Sequence, residues 1–164
     1  LKNRMTTLRW WAEKIGKPLA AVHQPIHGYA EQLAGPVDQF MERLEVGGLY
    51  GRTNIFVLGS DALRYMPQDD PATRFAHVTA ANAGETLFVR CERETLRRLP
   101  QCGAIVFTIC VYRCALGTLS QAVVARVART LEGFIEGEKQ RRDAPHYAEA
   151  LAGYAAMRMQ EKAA

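Results

Sequence analysis

The stretch from Gly103 to Tyr112 constrains the fold most. It is the longest apolar run in the chain, yet it is strand-sized and far short of the ~18 residues that a membrane-spanning helix needs. Alternation leaves neither side polar: Ile105, Phe107 and Ile109 fall on one face, with Val106, Thr108 and Cys110 on the other. A strand apolar on both faces is expected at the centre of a covered sheet. Two further strands are expected at Tyr50–Leu58 and Thr86–Glu94, the latter joined to the apolar run by a tight or one-turn connection over Thr95–Cys102. Short connections pair neighbouring strands antiparallel. Leu87, Val89 and Cys91 then share a face, with Phe88, Arg90, Glu92 and Glu94 opposite. A sheet face bearing Arg90 and Glu92 at mid-strand either meets water or lines a polar site.

Helices flank these strands. Leu8–Ile15 has helical spacing and stops at Gly16-Lys17-Pro18. Tyr29–Glu45 carries a stripe of Leu33, Val37, Phe40, Met41 and Leu44, interrupted by Pro36. A proline inside a helix removes a hydrogen bond and clashes with the preceding turn, so a kink is expected, or two helices with Pro36 in the first turn of the second. Gly47-Gly48 follows as a stop. Gly59–Gly84 reads as a long loop with one helical turn, a length that suits a lid or a linker. Thr118–Glu138 is an amphipathic helix striped by Leu119, Val123, Val127, Leu131 and Ile135, and Ala144–Glu161 is an alanine-rich helix. The class is α+β. Three strands make a thin sheet for this much helical stripe. Further strands are therefore expected from outside these 164 residues, which read as part of a longer protein.

Composition excludes more than it assigns. At 48% apolar and 23% charged residues, the chain is neither disordered nor a disulfide mini-protein. The net charge of +4 is spread along the chain, with clusters at Arg97-Arg98 and Lys139–Arg142 read as solvated surface rather than a nucleic-acid footprint. No signal peptide is visible. The four cysteines, Cys91, Cys102, Cys110 and Cys114, form no CxxC and read as reduced thiols of a cytoplasmic protein. Phosphate loops, zinc-protease and nucleophile-elbow motifs are absent. His23 and His27 lie four apart, but Pro25 between them argues against a helical metal pair. A haem, by contrast, asks the protein for one axial donor and an apolar pocket.

Specific strings then resemble a known family. Leu8-Arg9-Trp10-Trp11-Ala12-Glu13-Lys14-Ile15-Gly16-Lys17-Pro18 continues through Leu19-Ala20-Ala21-Val22-His23-Gln24-Pro25. Next come His27-Gly28-Tyr29, Pro36-Val37-Asp38-Gln39-Phe40, Arg52-Thr53-Asn54, Glu92-Arg93-Glu94-Thr95-Leu96-Arg97-Arg98-Leu99-Pro100 and Gly103–Ile109. Together, from Leu8 to Leu116, they resemble the haem-dependent oxidative N-demethylase family. The resemblance implies a PAS-like α+β domain over residues 1–116, with 117–164 as a helical extension packed on it. It implies haem b and a monooxygenase-type removal of a methyl group from a small methylated amine as formaldehyde, which tetrahydrofolate collects. Electrons would come from NADPH through flavin and iron–sulfur partner subunits, with no nucleic acid and no membrane involved. A non-catalytic haem sensor module, or an inactive truncated member, is the alternative.

The same resemblance nominates residues. His23, inside the matched string, is the first choice for the axial iron ligand, with His77 second. Asn54, Arg90, Arg93 and Arg98 are candidates to contact the cofactor, and Glu92 and Tyr29 to face an amine. Each has a plainer reading: a turn histidine, a strand-edge ion-pair set, a backbone-satisfying asparagine. Two positions depart from the family pattern: Ile55 stands where many relatives have tryptophan, and Cys110 where many have arginine. Relatives also carry a further stretch of chain ahead of the first matched string.

Overall fold

A computed structural model describes residues 15–23, 29–62 and 70–160. The helix expected over Leu8–Ile15 lies almost wholly outside the described residues, as do His27 and Gly28. The chain divides into two compact units, Leu1–Gly48 with Arg98–Ile105, and Leu49–Arg97 with Val106–Ala164.

The first unit is a set of short helices: α1 (Leu19–Val22), α2 (Tyr29–Gln32) and α3 (Ala34–Glu42). Pro36 sits in the first turn of α3, where its missing N–H costs nothing. This is the second of the two arrangements that the sequence allows. The carbonyls at the end of α3 find one cation. Arg98 donates from Nη2 to Met41 O at 2.6 Å and Glu42 O at 3.3 Å, and from Nε to Leu44 O at 2.7 Å. Its Nη1 reaches Gly103 O at 2.9 Å. Orphan carbonyls and the negative end of a helix dipole both favour an arginine there. Gly47, with φ at +90°, then turns the chain in a conformation that side chains disfavour.

The second unit holds the sheet, of order β1-β2-β3: β1 (Tyr50–Leu58), β2 (Phe88–Arg98) and β3 (Ile105–Ala115). β1 matches its expected bounds. It pairs antiparallel with β2 from Tyr50 opposite Leu96 to Leu58 opposite Phe88. The Thr95–Thr108 hydroxyl contact at 2.6 Å and the Leu116 N–H to Leu87 O bond at 2.8 Å fit one unbroken antiparallel register for β2 and β3. β2 runs on to Arg98, through residues expected to turn.

The largest departure concerns β3. It is an edge strand among the described residues, and Val106, Phe107, Ile109 and Tyr112 are 41–56% exposed. An apolar composition reports what a strand tolerates, and among the described residues β3 has one strand neighbour, β2.

α4 (Pro71–Phe75) and α5 (Ala83–Thr86) stand where a loop with one helical turn is expected over Gly59–Gly84; α5 runs on to Thr86, the residue expected to open the next strand. Between them Asn82 fixes a turn, accepting from Thr79 N–H at 2.7 Å and donating to His77 O at 2.8 Å. The single helix expected over 118–138 is broken at Gly133 into α6 (Gln121–Glu132) and α7 (Glu136–Arg141). α8 (Ala148–Gln160) ends the unit and packs on α6. Leu87, Leu116, Val124, Leu151 and Tyr147 are fully buried at the centre, with Val57 and Phe75 in the same cluster.

Close backbone approach explains two glycines. A Cβ on Gly117 would stand 2.9 Å from the Gly84 carbonyl oxygen, and one on Gly84 would stand 2.6 Å from the Tyr154 hydroxyl. Leu87→Ala should cost about 2–5 kcal/mol by denaturant unfolding, the usual range for a leucine cavity that cannot collapse. Gly117→Ala should cost about 1–3 kcal/mol, because the obstacle is backbone. Gly137→Ala, with nothing within 4 Å of the added carbon, should be neutral or slightly stabilising.

Candidate functional site

In the first unit, α1 and α2 bring together two residues that the sequence nominated separately. The His23 and Tyr29 rings stack with centroids 4.5 Å apart and planes 12° from parallel. His23 Nδ1 lies 2.9 Å from Leu19 O, one helical turn back. A carbonyl can only accept, so Nδ1 carries a proton, and the tautomer this selects has its lone pair on Nε2. Tyr29 is 5% exposed, and its hydroxyl has no hydrogen-bond partner among the described residues. Burial, and then the charge of Asp38, hold its pKa above the ordinary tyrosine value. Arg98, in the same unit, has its donors engaged by the carbonyls described above.

The remaining nominated residues stand on the sheet of the second unit. Arg90 and Glu92 pair with each other, Nε to Oε1 at 2.7 Å, with side chains only 11% and 17% exposed. Glu92 therefore presents a carboxylate whose charge is already matched. Two residues on, Glu94 is 6% exposed and paired with Arg52 from the neighbouring strand. Asn54 accepts at Oδ1 from the Ile55 N–H at 3.1 Å and from Arg142 Nη2 at 3.3 Å. Arg93 is exposed, on the same face as Cys110 and Tyr112, and its charge opposes the rise in the Tyr112 pKa that the Cys110 hydrogen bond causes. His77 is exposed and lies in the Asn82 turn.

Sequence reasoning missed a cavity of about 440 Å³ between this sheet face and α6. Alternation turns Ile55, Val57, Val89, Cys91, Tyr112 and Cys114 to one side of the sheet, and helical spacing lays Val123, Val127 and Thr130 over them. Its polar groups are few. Arg113, Arg126 and Arg142 line it, and no carboxylate does. Arg142 belongs to a cluster that read as solvated surface. Its guanidinium instead lies 4.9 Å from the centroids of both Phe56 and Phe134, and donates to the Ile55 carbonyl. Glu138 lies 3.4 Å from its Nε. Burial lowers the Arg142 pKa, though arginine remains charged at any ordinary pH. The one available signal was the helical interval from Glu138 to Arg142, which marks a charge pair but not the aromatic slot.

With this geometry in place, comparison with known families is decisive at the level of kinship. Residues 7–152 match the family described as haem-dependent oxidative N-demethylase, alpha subunit-like. The chain belongs to this family. No curated protein matches it. The family description makes haem the relevant cofactor and, through the word subunit, makes partner chains the expected setting. Among the described residues no three His, Cys, Asp or Glu side chains gather to hold a metal ion by themselves. A porphyrin iron asks for one protein donor, and a histidine with Nδ1 tied to a carbonyl and Nε2 basic has that donor chemistry. Among the described residues no helix is long and apolar enough to cross a membrane.

The Tyr29 environment makes a pH prediction. A folded-state pKa raised above the unfolded value of about 10 means that this group's contribution to stability is intact below pH ~10. It is lost as pH rises through the folded value. Tyr29→Phe should be neutral or slightly stabilising near pH 8 and should flatten the alkaline fall in the urea midpoint between pH ~9 and ~11.

Proposed function

We propose that this chain is the haem-carrying subunit of an oxidative N-demethylase, with His23 Nε2 as the axial donor to the iron. The observation that supports the reading most is the tautomer fixed by Leu19 O, because it leaves the ligating nitrogen basic in a segment that the family match includes. Haem b, when bound, would supply the oxygen chemistry, of monooxygenase type, that removes a methyl group from a small methylated amine as formaldehyde. The chain's own contribution is positional. Leu19 O orients the imidazole, and the Tyr29 ring fixes its plane by stacking. The Tyr29 hydroxyl, buried and held protonated by its surroundings, is the group placed to donate a hydrogen bond to a guest. An aromatic face also suits an alkylammonium ion.

In this reading Arg93, exposed and without a hydrogen bond or ion pair among the described residues, is the nominated arginine with donors to spare for an anion. Arg90 and Arg98 act through Glu92 and the α3 carbonyls. Glu92 and Asn54 support the sheet, the former through Arg90 and the latter through Arg142. Electrons derived from NADPH would arrive through flavin and iron–sulfur partner subunits. The domain would be of PAS-like type and the setting cytoplasmic, with the helices of 117–164 packed on the same domain. In support of that packing, Leu131 and Leu151 share the core cluster with Val57 and Leu87.

Titration of hemin into the purified protein tests this. The wild type should give a red-shifted Soret band saturating at one equivalent, and His23→Ala should lose tight binding. Tyr29→Phe should keep the Soret band but lower formaldehyde yield from dimethylamine with an electron donor. A wild-type spectrum identical to free hemin would reject the haem assignment for this chain. An unchanged His23→Ala spectrum would reject only the ligand.

A further inference from the structure

We infer that the cavity between the sheet and α6 is a binding site for a small apolar carboxylate, whose acid group pairs with Arg126. The inference is independent of the haem reading, since it concerns the second unit alone. Ligand cavities of several hundred Å³ are typically apolar, with a few polar groups that fix orientation. This one has valine, leucine and phenylalanine walls and about 440 Å³ of space. Its charge is one-sided, with three arginines and no carboxylate in the lining. An ammonium head held beside Arg126 would meet a like charge, which is unfavourable. A carboxylate would meet cations.

The three arginines are not equivalent. Arg142 is held by the Ile55 carbonyl, Asn54, Glu138 and two phenyl rings, so it shapes the wall. Arg113 has an acid at 3.6 Å, Asp61. Arg126 has no side-chain hydrogen bond or ion pair among the described residues, and it stands on α6 at the cavity. It is exposed, so its guanidinium sits at the rim, where an acid head stays partly hydrated while the apolar body enters. Hydrogen bonding between a guanidinium and a carboxylate is charge-assisted and can be bidentate.

Titration calorimetry with dodecanoate below its micelle concentration tests the proposal, with methyl dodecanoate and dodecylamine as neutral and cationic counterparts. Dodecanoate should bind saturably at one equivalent, the ester more weakly and the amine not at all. Arg126→Gln should weaken dodecanoate by about tenfold and leave the ester unchanged. Arg129→Gln, on the same helix but outside the lining, should bind as the wild type does. Val123→Trp should abolish binding by filling the cavity; if it does not fold, the exposed Arg126→Gln variant still decides the matter. Equal affinity for acid and amine, or an Arg126→Gln affinity equal to wild type, would overturn the proposal, as would absence of saturable binding.

Discussion

The guanidinium of Arg142 lies between the rings of Phe56 and Phe134 and donates to the Ile55 carbonyl of β1. Among the described residues β1 is an edge strand, and an edge strand presents backbone groups that need partners. One side chain from beyond α7 supplies a donor to that strand. The same guanidinium orients the Asn54 amide and closes one wall of the cavity. Cation–π contacts of this kind contribute about 0.5–2 kcal/mol each, more where water is excluded. The cost is a desolvated cation, its pKa lowered by burial, with the Glu138 carboxylate 3.4 Å away. The sheet edge, the aromatic slot and the cavity therefore share one contact.

Charge is partitioned in a way that bears on function. On the sheet, Arg90 with Glu92 and Arg52 with Glu94 are matched pairs. Around the cavity three arginines line an apolar space, while the His23 and Tyr29 rings stack in the first unit. A basic imidazole nitrogen suits a metal, and an arginine-lined apolar space suits an anion with an oily body. These are different chemistries, carried by different residues.

Much of the fold was legible because local rules governed it. Tyr50–Leu58 closes on an Ile-Phe-Val-Leu run and is bounded by glycines on both sides, and it forms that strand; Pro36 sits in the first turn of a helix, where its ring fits. Legibility failed where tertiary partners decide. Apolar residues on both faces of β3 implied a covered, central strand, and among the described residues β3 lies at the sheet edge. Thr95–Arg98 extends β2 because Thr108 and its neighbours pair with it, which no local pattern reveals. For the site, resemblance brought His23 and Tyr29 forward, but their stacking is a matter of α1 and α2 geometry. Arg98 and Arg90 look identical in sequence to cofactor-binding arginines, and only their partners distinguish a helix clamp from an ion pair. Arg142 was hidden in a charged run whose neighbouring members Gln140 and Arg141 are exposed.

The central claim is that the His23 imidazole carries the iron. Chemical rescue isolates that bond from any effect on folding. His23→Gly reconstituted with hemin should show a weak, five-coordinate or aquo-type ferric spectrum, and added imidazole should restore the wild-type Soret position in a saturable manner. Wild-type-like ligation in His23→Gly without imidazole would contradict the account, as would a variant that stays folded and binds hemin yet is indifferent to imidazole.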